Sequence, residues 1–468
     1  MIADEKTNLS AAQTPPYPEL FIGLVAAVGT DHNQITALLD EVLKTLGYQT
    51  HLIRLASLLH GFPRYKKLVS EPVDDYIEQH QKAGDDFRSV TNRRDALAVL
   101  GIGAVQDERS RRNGNKHKII PRCAYIIRSL KTPEEVETLR GIYGDAFFLI
   151  GSSAPYHSRR QYLASKIAAS RHNFQSEQFL ARAESLIQRD QEEVGESFGQ
   201  KLKKTFHLAD AFVDTSDAKR LRKSLERILE LLFGNTFHTP TREEYAMFHA
   251  TAAALRSSEL GRQVGAAIVT DAGDIIAVGT NEVPKAGGGL YWEGDDPDHR
   301  EFVHGEDTSD AHKRALLEDL LDRMNKDRWL DHGKATIEIS KLAGAALDSK
   351  LSPNISGAQI TSLIEFGRAV HAEMAAITDA ARRGVSVEGA TMYVTTFPCH
   401  LCARHIVAAG IVRVKYVEPY TKSLAAQLYP DSIAVDYAEK RETQVSFDPF
   451  VGIAPRKYLA LFTSWTAN

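Results

Sequence analysis

His371-Ala372-Glu373, followed by Pro398-Cys399-His400-Leu401-Cys402, constrains this chain more than any other stretch. Residues 369–382 read as a helix, with His371 near its first turn and Glu373 pointing to another side. Residues 391–396 are β-branched and aromatic and read as a strand that breaks at Pro398. Cys399 and Cys402 then open a second predicted helix, 399–409, where their spacing puts both thiols on one face. The positive end of that helix favours thiolates. One imidazole and two thiolates suit zinc, and three protein ligands leave the fourth tetrahedral position for water. Glu373 is then a carboxylate beside the metal that need not bind it. A lone C-x-x-C also reads as a redox pair, but such a pair calls for no upstream H-x-E. With three cysteines, Cys123, Cys399 and Cys402, a four-thiolate structural site cannot form within the chain. The pattern predicts one catalytic zinc.

A chain of 468 residues, 43% of them hydrophobic, holds two or three domains with ample core. The net charge of −4 gives no global attraction for nucleic acid, so any nucleotide or polyanion must be held by local basic groups. Few cysteines suit a reducing interior. Residues 1–16 are polar, with no basic region leading into an apolar stretch, so no signal peptide is visible. No apolar run approaches the ~20 residues that span a membrane. The expectation is a soluble cytoplasmic protein with no membrane partner.

After a polar tail (1–18), an apolar run at 19–28 leads through Gly29-Thr30-Asp31 into a helical pattern at 33–46, then a strand at 48–55. That is a βαβ opening and implies a mostly parallel sheet. Further strands are predicted at 119–127, 146–150 and 212–214, with a helix at 133–143. Residues 158–170 and 188–208 read as polar helical stretches. The basic run 109–118 reads as a solvated loop in preference to a phosphate or RNA contact. An amphipathic helix at 216–232 and turn residues at 234–242 suggest a linker and boundary over 216–238. The domains expected are therefore 19–215 and 239–468. In the second, a helix at 243–257 precedes strands at 264–270 and 275–279, joined by Asp271-Ala272-Gly273-Asp274 as a hairpin. A long insertion (about 285–366) separates them from the zinc helix, and a last strand is predicted at 413–418. This order suggests an α/β/α three-layer sandwich of mixed strand direction.

H-x-E…P-C-x-x-C is the signature of zinc nucleobase deaminases. With Arg262-Gln263-Val264-Gly265-Ala266-Ala267, Gly279-Thr280-Asn281-Glu282-Val283-Pro284, Val417-Glu418-Pro419-Tyr420 and Ser423-Leu424-Ala425, residues 239–434 resemble the deoxycytidylate deaminase branch of the cytidine deaminase superfamily. The whole chain, with a nucleotide-kinase-like front half, resembles the two-domain bacterial deoxycytidine-nucleotide deaminases of anti-phage defence. The resemblance implies Zn2+-dependent conversion of dCMP, dCTP or both to deoxyuridine nucleotides, with Glu373 as the catalytic proton shuttle, in a homo-oligomer. It makes Asn281 a sugar contact, against the alternative of a turn residue. Arg262 and Lys285 are candidates for a 5′-phosphate, or solvated side chains; Tyr416 and Tyr420 wall the pocket or belong to the core. His299, His304 and His312 in the insertion offer a second metal site, set against a polar covering or assembly loop. A polynucleotide deaminase needs a basic channel that the charge balance does not offer. A sensor of nucleic acid or phage products, with the deaminase as output, is compatible with the first reading.

Gly23 to Asp31 stands where a P-loop would. The Walker A pattern is G-x-x-x-x-G-K-[ST]; here five residues separate Gly23 from Gly29, and Thr30-Asp31 replaces Lys-Ser/Thr. An aspartate there repels phosphate. Ile127-Arg128-Ser129-Leu130-Lys131 and Arg159-Arg160 resemble segments of nucleotide kinases. The front half thus reads as a P-loop kinase-like parallel-sheet domain with lost or altered phosphotransfer. Gly23, Gly29, Thr30 and Asp31 are candidate nucleotide contacts, and Arg128, Lys131, Arg159 and Arg160 candidate holders of a regulatory nucleotide or RNA. A purely structural, oligomerising role is the alternative.

Overall fold

Apolar runs without alternation demand strands covered on both faces, and the N-terminal half of the computed structural model is built from them. The structure describes residues 18–191, 202–305, 307–348, 351–352, 355, 358–363, 365–419, 423–436 and 443–463. Contacts divide the chain into unit 1, Met1–Thr239 with Val451–Asn468, and unit 2, Pro240–Phe450. The polar tail to residue 17 and residues 192–201 of the expected 188–208 helix lie outside the described residues.

Unit 1 carries β1 (Leu20–Ala26), β2 (Gln49–Arg54), β3 (Cys123–Arg128), β4 (Phe147–Ser153) and β5 (Ala211–Asp214). They run parallel in the order β5-β4-β1-β3-β2, with Leu20 opposite Ala124 and Phe21 opposite Phe147. The His32–Thr45 and Ala218–Leu232 helices share one core with this sheet, Ile35, Leu39, Leu221, Leu225 and Ile228 meeting Ile22, Leu24 and Ile126. The helix expected to be a linker is therefore a core element, because its leucines at helical spacing form one apolar stripe.

Two further expectations change. The Ala96–Asn113 helix takes in residues 109–113 of the basic stretch and ends at Gly114 in the left-handed region (φ 67°), and residues 115–118 form an exposed turn as expected. Its Arg109 pairs with Glu19, and Arg111 and Arg112 pair with Glu108, both acids buried, so these cations are neutralised at home. The C-terminal boundary also moves. A short strand, Gly452–Ile453, pairs antiparallel with β5 at the sheet edge, and the Pro455–Phe462 helix follows it. The chain thus returns to unit 1 after completing unit 2.

Unit 2 holds β6 (Gly265–Val269), β7 (Ile275–Thr280), β8 (Thr391–Thr396), β9 (Arg413–Glu418), β10 (Ile433–Val435) and β11 (Val445–Pro449), ordered β10-β11-β9-β8-β6-β7. β6 runs antiparallel to β7 and β8, and the remaining pairs are parallel. Two glycines set how closely helices approach. A Cβ on Gly265 would stand 1.9 Å from the Ala250 carbonyl oxygen of the Arg242–Ala254 helix; one on Gly279 would stand 2.1 Å from that of Ala372, at the start of the Ala372–Arg382 helix. Gly265 pairs with Thr280 and Gly279 with Ala266, so the two glycines face opposite sides of the sheet. Helices therefore cover both faces, as the three-layer expectation required. The insertion is helical where a loop was expected: Thr308–Lys326 and Ile339–Leu347 pack through Leu317, Leu321, Ala343 and Ala346. Among the described residues no helix is long and apolar enough to cross a membrane.

Replacing Gly279 with alanine forces its Cβ onto helix backbone that cannot yield as a side chain would. Gly279→Ala is expected to destabilise the protein by about 1–3 kcal/mol or more and to lower its metal content, as checked by thermal denaturation and metal analysis.

Candidate metal centre and active site

Both halves of the motif sit at helix starts. His371 is the N-cap of the Ala372–Arg382 helix (φ −66°, ψ 152°), one position outside the helical turn expected for it. Cys399 likewise caps the His400–Ala408 helix, its thiol accepting the Cys402 N–H at 3.5 Å. β8 carries the chain between them, and its end delivers Pro398 and Cys399 beside His371. The Nδ1 of His371 stands 3.3 Å from Cys399 Sγ and 3.4 Å from Cys402 Sγ. All three ligand atoms lie within 4.8 Å of one another. Zinc bonds of ~2.0–2.1 Å to nitrogen and ~2.3 Å to sulfur at tetrahedral angles separate N from S by about 3.5 Å. The residues present fit that ion. Among the described residues His371, Cys399 and Cys402 are the one such converging group, and His299, His304 and His312 join none. Cys123 is buried in β3 of unit 1 and takes no part.

The electrostatics fit as well. The Cys402 thiol, donating to Cys399, and then the His371 imidazole hold Cys399 down to about 4, while the same S–H bond pushes Cys402 up. His371 is raised to about 9, chiefly by its hydrogen bond with Cys399. Glu373, two residues on and 4% exposed, is raised to about 7 by burial and then by the Cys399 charge. A buried carboxyl with divided affinity for its proton at neutral pH is the type of group that accepts and returns protons.

Glu259 is a residue the sequence reading missed. Burial, then Glu301, Glu282 and Asp307, raise it to about 7, and it feels the charge of His371. Glu282 is tied down by the Ser258 N–H and hydroxyl, and Glu301 by the Thr308 hydroxyl. These acids make the surroundings of the metal ligands negative. No motif flags Glu259, because its meaning comes from the insertion folding against it.

The other candidate substrate residues have these surroundings. Asn281 accepts the Val264 N–H at 2.6 Å and donates to the Arg262 carbonyl at 2.7 Å, so its amide straps the entry to β6 and keeps one N–H and one lone pair for a sugar contact. Arg262 pairs with Glu418 at 3.4 Å, and Lys285 with Asp295 at 2.6 Å, so neither offers an unpaired cation to a phosphate. Tyr416 is a core residue with its hydroxyl on Asp436 and its ring against Phe397, because it points inward from a strand covered on both faces. Tyr420 lies outside the described residues. Unit 2 also has a cavity of about 780 Å3 lined by Arg256, Lys285, Trp292, Val370, Met374 and Arg382, among others; neither the three ligand residues nor Glu373 line it.

In unit 1 the glycine turn is filled from within. Gly23 lies inside β1, where a Cβ would meet Leu130 and Phe147 at 2.8 Å, so it serves packing and not phosphate. Gly29 (φ 89°) makes the turn, and Asp31 caps the following helix by accepting the Asn33 and Gln34 N–H groups at 3.0 and 3.1 Å. Thr30 is buried beside it. Asp190 takes the Val28 N–H and the Lys131 ammonium, each at 2.7 Å. Arg159 reaches the Val28 and Ala154 carbonyls, and Arg160 pairs with Glu184 at 3.3 Å. Of the four cations expected to hold a polyanion, Lys131, Arg159 and Arg160 are thus spent internally.

Unit 2 is accordingly a mixed α/β sandwich with a zinc-type His-Cys-Cys centre and an adjacent buried carboxyl. Residues 240–418 match the model of the cytidine and deoxycytidylate deaminase zinc-binding region. The chain is 54% identical over 54 residues to the deoxycytidylate deaminases of Enterobacteria phages T2 and T4, a stretch covering 12% of this chain and 29% and 28% of those proteins. It is 40% identical over 77 residues to ComE operon protein 2 of Bacillus subtilis, covering 16% of this chain and 41% of that protein. The chain thus spans less than a third of the length of the phage relatives it matches. The crystal structure of cyanophage S-TIM5 dCMP deaminase with dCMP and dUMP is 17% identical with a TM-score of 0.26, covering 46% of this chain and 99% of that one, a likeness too slight to carry an argument.

The purified protein is expected to hold one zinc per chain, and Cys399→Ala to lose most of it, as elemental analysis will read. Undiminished zinc in the variant would refute the ligand assignment.

Proposed function

We propose that this protein deaminates deoxycytidine nucleotides, dCMP or dCTP, to the deoxyuridine nucleotides by hydrolysis. The observation that carries this reading is the placement of Glu373: a buried carboxyl in the helical turn that follows His371, beside the converging His371, Cys399 and Cys402. The family match over 240–418 supports it, as does the local identity with the phage deoxycytidylate deaminases. When bound by His371, Cys399 and Cys402, zinc supplies a Lewis acid that brings the pKa of water to about 7. Glu373 moves the protons. Its carboxylate takes one from the attacking water and delivers it to ring N3, so that C4 becomes electrophilic. It then passes protons to the amine nitrogen until C4–N breaks and ammonia leaves with C4 bearing oxygen. One carboxyl can serve each transfer because its protonation state alternates through the cycle.

Unit 1 is proposed as a P-loop kinase-like regulatory unit with no phosphotransfer of its own. Its all-parallel five-strand core and glycine turn support the fold reading, and Asp31 in place of the P-loop lysine supports the loss of transfer. On this reading the protein serves anti-phage defence by depleting deoxycytidine nucleotides, with unit 1 as its regulatory part.

The test is incubation of the full-length protein with dCMP, dCTP, CMP, CTP, cytidine and a single-stranded oligonucleotide, following the deaminated product. Deamination of the oligonucleotide alone would overturn the nucleotide reading. Glu373→Ala is expected to keep fold and zinc while losing at least the ~10²–10⁴-fold that general acid–base catalysis contributes. Residual turnover within tenfold of the parent would remove Glu373 from the proton-carrying role.

A further inference from the structure

Two histidines of unit 1 face each other with no part in the sites described so far. His60 sits in the short helical turn Leu59–Gly61, and His80 in the Val73–Val90 helix. Their Nε2 atoms stand 3.0 Å apart, with ring centroids at 5.1 Å and planes tilted by 43°. His80 is 6% exposed, and its Nδ1 lies 2.8 Å from the Tyr76 carbonyl oxygen. A carbonyl only accepts, so Nδ1 carries a proton and the neutral ring presents Nε2 as a bare lone pair. The Tyr76 ring, its centroid 4.0 Å from that of His80, holds the imidazole from the side. A ring whose other nitrogen donates to a backbone carbonyl is the arrangement that orients metal-binding histidines.

The separation has the size that a metal ion imposes. Bonds of ~2.0–2.1 Å to two imidazole nitrogens set those nitrogens about 2.9 Å apart at a right angle and about 3.4 Å apart at the tetrahedral angle. At 3.0 Å the pair is near the right-angle value, which belongs to tetragonal copper(II) and nickel(II) sites. Burial, ahead of the Tyr76 hydrogen bond, lowers the pKa of His80, so its Nε2 is free of a proton at neutral pH. His80 and the adjacent Gln81 also line a cavity of about 360 Å3, which gives water room to complete a coordination shell. Gln81 is 7% exposed, and neither its Oε1 nor its Nε2 has a hydrogen-bond partner among the described residues. Water held by an ion in that cavity would satisfy such an amide.

We propose that His60 and His80 form a two-nitrogen site for a late first-row divalent metal ion, separate from the zinc centre of unit 2. Imidazole suits such ions, and affinity rises from cobalt through nickel to copper. Two protein ligands hold an ion less tightly than the three of His371, Cys399 and Cys402, so the purified protein keeps one zinc and this site fills from added metal. Filling it ties the Leu59–Gly61 turn to the Val73–Val90 helix, and binding to the folded form alone stabilises that form. A plain N–H···N hydrogen bond between the two rings has the same length, and metal uptake separates the two cases. The inference concerns unit 1 and stands apart from the deaminase reading.

Equilibrium dialysis of the untagged full-length protein against micromolar nickel(II), followed by elemental analysis, tests it. Nickel is the probe because zinc already marks the other centre. One nickel per chain is expected beside one retained zinc. His60→Gln and His80→Gln are each expected to keep their zinc and to bind nickel about tenfold or more weakly, since even changes outside the ligand shell cost that much. Cys399→Ala is expected to show the reverse, losing zinc and keeping nickel. Nickel should raise the Tm of the parent and leave that of either histidine variant unmoved. Retained zinc in the variants shows that they fold. No nickel uptake by the parent overturns the proposal without recourse to any variant, and a metal-free Tm lowered in both variants would then mark a hydrogen bond alone. Uptake and Tm shift unchanged in both histidine variants, or nickel gained only as zinc is lost, also overturns it.

Discussion

The close seating of the Ala372–Arg382 helix against β7 at Gly279 governs unit 2. That helix is capped by His371 and carries Glu373 in its first turn, so its distance from the sheet fixes the height of a metal ligand and of the buried carboxyl together. Its inner face is alanine at 372, 376 and 380, which gives little volume to repack if the backbone is pushed away. The second helix approaches from the end of β8, in the same sheet. A metal site assembled from two helix starts tolerates little independent movement of either, and a shared sheet supplies that rigidity.

Much of this was legible in the residues. β8 and β9 and the 133–143 helix were predicted with the boundaries observed, because β-branched runs and a Pro-led capping box are strong local signals. The zinc ligands were legible for a different reason: few residue types bind zinc, and their spacing is narrow. His371 and Cys399 proved to be caps and not helical residues, a one-residue matter that spacing cannot resolve. For the ordinary polar residues the sequence left alternatives open, and only packing narrows them. Asn281, Arg262 and Lys285 each have a partner inside the protein, which a sequence does not display, and of the two readings open for Tyr416 the core is the one observed. Glu259 went unseen because three other acids, distant in sequence, give it meaning.

The front half shows how a motif can keep its shape and change its content. The strand, the left-handed Gly29 and the helix start persist, yet the groups that would meet phosphate meet Asp31 and Asp190 instead. The sequence displayed the missing lysine; it did not display the internal carboxylate from residue 190 that occupies Lys131. Long-range ion pairs of this kind are set by tertiary packing and leave no periodic trace.

The return of Gly452–Ile453 to the edge of the first sheet has a consequence for synthesis. Domains fold broadly in the order they leave the ribosome, but here residues 452–462 emerge only after the whole of 240–450. The unit begun first is thus finished last, and until then β5 lies at an uncovered sheet edge of the kind that invites wrong pairing. A ribosome that stops inside unit 2 leaves unit 1 without its edge strand as well, so the front half is completed only after the unit that carries the metal ligands has been made.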